Sequence, residues 1–328
     1  MSKPKVGFYW CASCGGCEEA VVDLAEDILT VVGAVDIVFW PVALDFKKTD
    51  VEAMADGEMA ACFINGAVRT SEQAEMVKLL RKKAGLIVAF GACAHLGGIP
   101  GLSNFYTRQE SLNRAYLETP STQNAEKTIP QVETKVPEGV VTLPGFDNSV
   151  KTLNQVIDVD YFLPGCAPPP KLILGAVMAI LEGKLPPKGE TLAPDVAVCD
   201  ECPRKETKPE KMTVESFKRP FQALIDPEEC ILAQGFLCLG PVTRKGCDAA
   251  CPTGNMPCTG CQGPTSAVKD YGAKALSAIA SILEAKEEAD IDKLWDNIPD
   301  PAGTFYRYSL PASLLFRRTR FEGDGNGS

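Results

Sequence analysis

The sequence predicts an α/β protein: a doubly wound parallel sheet followed by a smaller, cysteine-rich domain. Two observations carry that expectation. Strand-like and helix-like stretches alternate over roughly the first 190 of 328 residues, as crossover helices between parallel strands require. Eight of the 14 cysteines then fall within residues 199–264, where long apolar runs stop and Gly and Pro become frequent.

Residues 5–10, KVGFYW, read as the first strand. The run CEEAVVDLAEDILTVV (17–32) reads as a helix with Val21, Leu24, Ile28 and Val31 on one face, and with Glu18, Glu19 and Asp23 near its start, where acids suit the helix dipole. VDIVFW (35–40) is the second strand and MAACFING (59–66) the third; SEQAEMVKLLRKKA (71–84) is a helix with Ser71 as N-cap, and GLIVAFGAC (85–93) is a buried strand ending at Cys93. Residues 97–157 read as irregular. VDYFLPGCAPPP (159–170) is a strand whose end carries Cys166 in a Pro/Gly loop. KLILGAVMAILEG (171–183) is a helix, and KLPPKGETLAP (184–194) a linker that closes the first domain near residue 190. Beyond the cysteine-rich stretch, residues 269–298 predict a long helix with Leu276, Ile279, Ile282 and Leu283 on one face, and the tail Gly323–Ser328 reads as mobile.

Composition narrows the function. With 45% hydrophobic and 23% charged residues and no long apolar run, the chain is read as neither disordered nor membrane-spanning. Its first residues carry no export signal, so the reading is a cytoplasmic protein, in which 14 cysteines serve as metal ligands rather than as a disulfide framework. A net charge of −10 argues against nucleic acid, and LLRKKAG and FRRTR read as solvated surface or docking patches.

The cysteine positions carry the chemistry. Ligands of parallel sheets sit beyond the carboxyl ends of the strands, where Cys14, Cys17, Cys93 and Cys166 all fall. A Cys14/Cys17 redox pair would leave Cys93 and Cys166 unexplained. Cys199, Cys202, Cys230, Cys238, Cys247, Cys251, Cys258 and Cys261 make two further sets of four, suited to zinc or to iron–sulfur clusters because both take soft ligands. A zinc site pairing Cys199/Cys202 with Cys258/Cys261 would strand the other four, so the count favours two iron–sulfur clusters. Cys62 reads as a small core residue, and Cys11 stays unassigned. A chain of clusters is a wire for electrons.

At this point the residues resemble a family: the small, electron-transferring subunit of nickel–iron hydrogenases. SCGGCEE (13–19), GACAHLGGIPG (91–101) and LPGCAPPP (163–170) look like its three proximal-cluster motifs, in the family's order. The run from CDECPRK to CTGC looks most like the cytoplasmic branch that includes the methyl-viologen-reducing and deazaflavin-reducing enzymes. The resemblance implies a flavodoxin-like domain over 1–190 and an iron–sulfur domain over 191–328. It assigns Cys14, Cys17, Cys93 and Cys166 to the proximal cluster, Cys247, Cys251, Cys258 and Cys261 to the medial one, and Cys199, Cys202, Cys230 and Cys238 to the distal one. Exported relatives have a histidine where Cys199 lies and usually a proline where Cys251 lies; thiols at both positions imply three [4Fe-4S] clusters. Some relatives are said to use an aspartate as a proximal ligand, which brings in Asp45 and Asp56.

The respiratory complex I subunit of the same superfamily is set aside, because it has adjacent cysteines in its motif and no eight-cysteine extension. The implied function is to relay electrons between the active site of a nickel–iron large subunit and an acceptor subunit of flavin, ferredoxin-like or heterodisulfide reductase type. The chain holds no nickel–iron ligands of its own and is not catalytic alone. The alternatives are an electron-transfer or assembly module paired with a hydrogenase-like subunit that lacks the metal site, and a zinc-bound adaptor. His95 reads as a loop histidine, with tuning of the proximal cluster as the other reading. Glu18 and Glu19 read either as helix-start charges or as proton carriers, and Gly15, Gly16, Gly97 and Gly98 as points of close backbone approach.

Overall fold

The computed structural model describes residues 3–284, 287, 297–298 and 300–317. The chain runs β1 (Lys5–Trp10), α1 (Gly16–Val22), α2 (Asp27–Ala34), β2 (Asp36–Phe39), α3 (Lys48–Ala53), β3 (Met59–Asn65), β4 (Val68–Thr70), α4 (Ser71–Lys83), β5 (Ala84–Phe90) and α5 (Ala92–Leu96). It continues with α6 (Arg108–Asn113), β6 (Glu133–Val136), β7 (Gly139–Thr142), β8 (Phe146–Lys151), β9 (Tyr161–Leu163) and α7 (Pro170–Glu182), then α8 (Ala250–Thr253) and α9 (Tyr271–Ala280).

Five of these strands form one parallel sheet in the order β2-β1-β3-β5-β9. Counted along the chain that is 2-1-3-4-5, the flavodoxin-like order. The pleat sends alternate residues of β3 to opposite faces. Ala61 and Phe63 join the core under α1, α2 and α7, with Val21, Val31, Ile173 and Val177. Cys62 and Ile64 join the core under α3, α4 and α5, with Val51, Met76, Leu80 and Ala94. Both faces are covered, which is why the strands read as continuous apolar runs.

Several expectations need correction. The helix predicted over 17–32 is two helices, broken where Ala25 takes a φ of 51°. The N-cap of α4 is Thr70, not Ser71: the Gln73 amide donates to Thr70 Oγ1 at 3.3 Å, while Ser71 Oγ accepts from the Gly145 amide at 3.0 Å. Residues 97–157 are not irregular throughout, since they hold α6, the β6–β7 hairpin, and β8 paired antiparallel with β4. The linker is partly structured too: the Leu192 amide bonds the Phe162 carbonyl at 2.7 Å, extending the sheet edge beyond β9.

The cysteine-rich part has its own core, built from Val198, Phe217, Ile231, Phe236, Tyr271, Ile279 and Phe305. The C-terminal helix ends at Ala280, because Val214 takes the next backbone groups in a bridge with Leu283; Leu276 is exposed, whereas Ile279 is buried. Most of the predicted helix beyond 284, and the glycine-rich tail, lie outside the described residues. Past the short helix Pro301–Phe305 the chain returns to the first unit, with the Gly98 amide on Tyr308 O at 3.0 Å and Gln155 Nε2 on Pro311 O at 2.8 Å. No helix among the described residues is long and apolar enough to cross a membrane.

Candidate metal centres

The carboxyl edge of the sheet is shaped by a retreat of β3. After Asn65 the chain turns at Gly66 (φ 84°), and Ala67 pairs with Ala12 beyond β1. A Cβ on Gly66 would lie 2.7 Å from the Cys11 carbonyl carbon, so only glycine lets the two backbones meet. With β3 out of the way, side chains after β1 can reach those after β5. Cys17, in the first turn of α1, comes so close to Gly91 that a Cβ there would lie 2.5 Å from its Sγ. Cys93 stands in the first turn of α5, where a Cβ on Gly98 would fall on its sulfur. Cys166 follows Gly165 beyond β9.

These four thiols feel one another. Burial pushes the Cys17 thiol far up, and Cys93, Cys166 and Cys14 add to it. Cys93 is pushed up to about 12, again by burial first and then by Cys166 and Cys14. Cys14 and Cys166 are exposed, whereas Cys17 and Cys93 are buried. One side of the group therefore opens to the surface.

Cys199, Cys202, Cys230 and Cys238 line one cavity together with Arg204, Lys208 and Gly240. About 400 Å³ there is free of protein atoms, part of it open to solvent. Burial raises the Cys199 thiol to about 11; Lys208 opposes that rise, while Cys238, Cys202 and Cys230 reinforce it. A Cβ on Gly240 would lie 3.4 Å from Cys199 Sγ and 3.6 Å from Cys238 Sγ, so glycine keeps this space clear.

The remaining four thiols lie between these groups. Burial raises Cys261 to about 11, with Cys247, Cys166 and Cys251 contributing. Cys258, buried, is raised by burial and by Cys238 and Cys261, and its own N–H donates to Cys238 Sγ at 3.3 Å. Soft thiols in fours, in glycine-lined spaces, suit an iron–sulfur cluster. Among the described residues, no three His, Cys, Asp or Glu side chains converge on a point that a single metal ion could occupy.

Other candidates fall into place around these groups. Cys11 is buried in the same core as Cys62, both thiols raised by burial, so it packs as a small apolar residue. Glu18 is buried: Trp40 Nε1 and Asn65 Nδ2 donate to its carboxylate, the latter at 2.5 Å, yet burial still raises its pKa. Glu19 is exposed. His95 packs against Phe162, tilted by 31° with ring centroids 4.5 Å apart; burial first, and then Arg244, lower it to about 3. Asp56 pairs with Lys83 at 3.0 Å, before β3 and thus at the opposite end of the sheet from the thiols, and Asp45 is exposed after β2. Sequence reasoning missed Arg204, Glu201, Trp40 and Asn65, none of which stands in a motif with a recognisable spacing.

The fold and its grouped thiols suit an oxidoreductase component. The chain belongs to the family described as NADH ubiquinone oxidoreductase, 20 Kd subunit, which matches residues 14–180. That match ends before the eight-cysteine stretch. The iron-sulfur subunit of the F420-non-reducing hydrogenase of Archaeoglobus profundus is 42% identical over 96% of this chain and 98% of its own length. The corresponding subunit of the F420-non-reducing hydrogenase of Methanothermobacter thermautotrophicus is 36% identical over 98% of this chain and 99% of its own. Among solved structures, the recombinant [NiFeSe] hydrogenase from Desulfovibrio vulgaris Hildenborough shares the fold: TM-score 0.51, 18% identity, 80% of this chain and 94% of that one covered. The chain is thus a small subunit of a hydrogenase.

Proposed function

We propose that this chain holds three [4Fe-4S] clusters and relays electrons between the active site of a nickel–iron large subunit and an acceptor subunit. Cys14, Cys17, Cys93 and Cys166 would hold the proximal cluster, Cys247, Cys251, Cys258 and Cys261 the medial one, and Cys199, Cys202, Cys230 and Cys238 the distal one. The clusters supply one-electron chemistry when bound.

One observation carries the order. The three groups of thiols neighbour one another: Cys166 is among the groups that act on the Cys261 thiol, and the Cys258 N–H donates to Cys238 Sγ at 3.3 Å. A residue of each group therefore lies beside a ligand of the next, as a relay needs. The large subunit would cover the edge where Cys14 and Cys166 are exposed. Relatives named as non-reducing toward F420, a deazaflavin, weigh against a deazaflavin acceptor here. A cytoplasmic setting belongs to the same reading, in which the cysteines serve as ligands and core residues rather than as a disulfide framework.

The test is to isolate the protein with its partners without oxygen, measure iron, and assay hydrogen-dependent viologen reduction. About twelve irons per chain are expected for three four-iron clusters. A colourless protein carrying zinc and no iron would sink the proposal.

A further inference from the structure

Asp200 and Glu201 fill the two positions between Cys199 and Cys202, and both grip the loop that carries Cys247. Asp200 pairs with Lys245 at 2.5 Å at the surface. Glu201 turns inward. Its Oε1 accepts the backbone N–H groups of Gly246 at 2.9 Å, Cys247 at 3.1 Å and Ala249 at 3.2 Å, and Cys247 Sγ lies 3.8 Å away.

The loop has a conformation that needs such an acceptor. Gly246, Asp248 and Ala249 all have positive φ, at 131°, 53° and 47°. That region is unfavourable for L residues such as Asp248 and Ala249. Here it points amides toward one spot, an anion-binding concavity filled by the protein's own carboxylate. Ala249 is fully buried, so an amide left without an acceptor there would be expensive to keep. Cys247 itself is held through its own N–H and with its sulfur 3.8 Å from the same oxygen, so the loop geometry sets where the thiol points.

We propose that Glu201 is a positioning residue: from inside the Cys199/Cys202 knuckle it holds the Gly246–Ala249 loop so that Cys247 faces its cluster, making the loading of one thiol set depend on the framework of another. The proposal rests on reading both sets as cluster ligands. Glutamine keeps a carbonyl oxygen at Oε1 and can accept the same amides, whereas alanine cannot.

The experiment compares wild type, Glu201→Gln and Glu201→Ala in the anaerobically purified complex, by iron per chain and by the EPR spectrum of the reduced protein. Glu201→Ala should fall to about eight irons from about twelve and lose one cluster signal, while Glu201→Gln keeps the wild-type iron and spectrum. Wild-type iron in Glu201→Ala would overturn the proposal, as would equal losses in both variants. A wild-type complex without iron would instead overturn the cluster reading itself, so the two failures are distinct.

Discussion

Arg204 is a buried cation at the wall of the cavity formed by Cys199, Cys202, Cys230 and Cys238. Its Nη2 donates to Asn255 Oδ1 at 2.6 Å, and its Nε has no hydrogen-bond partner among the described residues. A positive charge beside a cluster favours the reduced form, so Arg204→Gln should shift one reduction wave to lower potential in an EPR-monitored titration. Unshifted waves would show that the charge is not felt there. Cysteines can be separated in the same way. Cys17→Ala should lose iron and hydrogen-dependent viologen reduction, whereas Cys62→Ala, in a fully buried strand position, should keep its iron and lose about 1 kcal/mol of stability in urea unfolding. Full iron in Cys17→Ala would reject the proximal assignment. Cys62 was legible as a core residue because it stands inside an apolar strand. Cys11 was not, because its three-residue spacing to Cys14 mimics a ligand pair, and only the bridge beyond β1 shows that it turns into the core.

Elements meet the thiols through backbone that admits no side chain. Gly91 joins β5 to α5 with φ 86°, and a Cβ there would collide with Cys17 Sγ and approach Gly165 O at 3.4 Å. Gly91→Ala should therefore cost the proximal set its iron while far-UV CD stays near wild type; full iron in the variant would contradict the close approach. A different junction holds the opposite end of the sheet. Asp160, just before β9, accepts from Arg81 at 2.5 Å and from the Ile87 amide at 2.8 Å, and pairs with Lys188 at 2.6 Å. Burial alone would raise its carboxyl, but Lys188, Arg81 and the Ile87 amide outweigh it and hold it below the usual carboxylate range. A depressed folded pKa means that this stabilisation is complete above the unfolded value of about 3.9 and is lost as pH falls through the folded one. Asp160→Asn should be less stable by roughly 1.5–3 kcal/mol at pH 7, with the gap to wild type closing below about pH 4. Thermal unfolding across that range measures it, and a gap independent of pH would refute it. The sheet strands were legible because burial on both faces makes continuous apolar runs. The β6–β7 hairpin was not, since its eight residues are all exposed and carry no alternation between a wet and a dry face.

Taken whole, the molecule joins two units with different sources of order. The first is held by a five-stranded sheet with a core on each face, readable from periodicity alone. In the second, helices are short, and Cys238 and Cys258 are buried members of the core, with Cys202, Cys230 and Cys247 packed against it. Its cysteine spacing was legible, but its path was not, because turns wrapped around thiols follow no repeat. Nor did the sequence announce that residues 306–317 would cross back onto the sheet unit through Gly98, Gln155 and Asn104. Metal that bridges thiols contributes its binding free energy to folding wherever packing is thin. Stripping iron under anaerobic conditions should therefore leave the amides of β1, β3 and β5 protected, while residues 199–264 exchange at rates approaching those of an unfolded chain. Hydrogen exchange read by mass spectrometry resolves the two regions in one sample. Equal protection in both after iron removal would mean that the second unit stands on its apolar core alone, and that its eight thiols are there only for electron transfer.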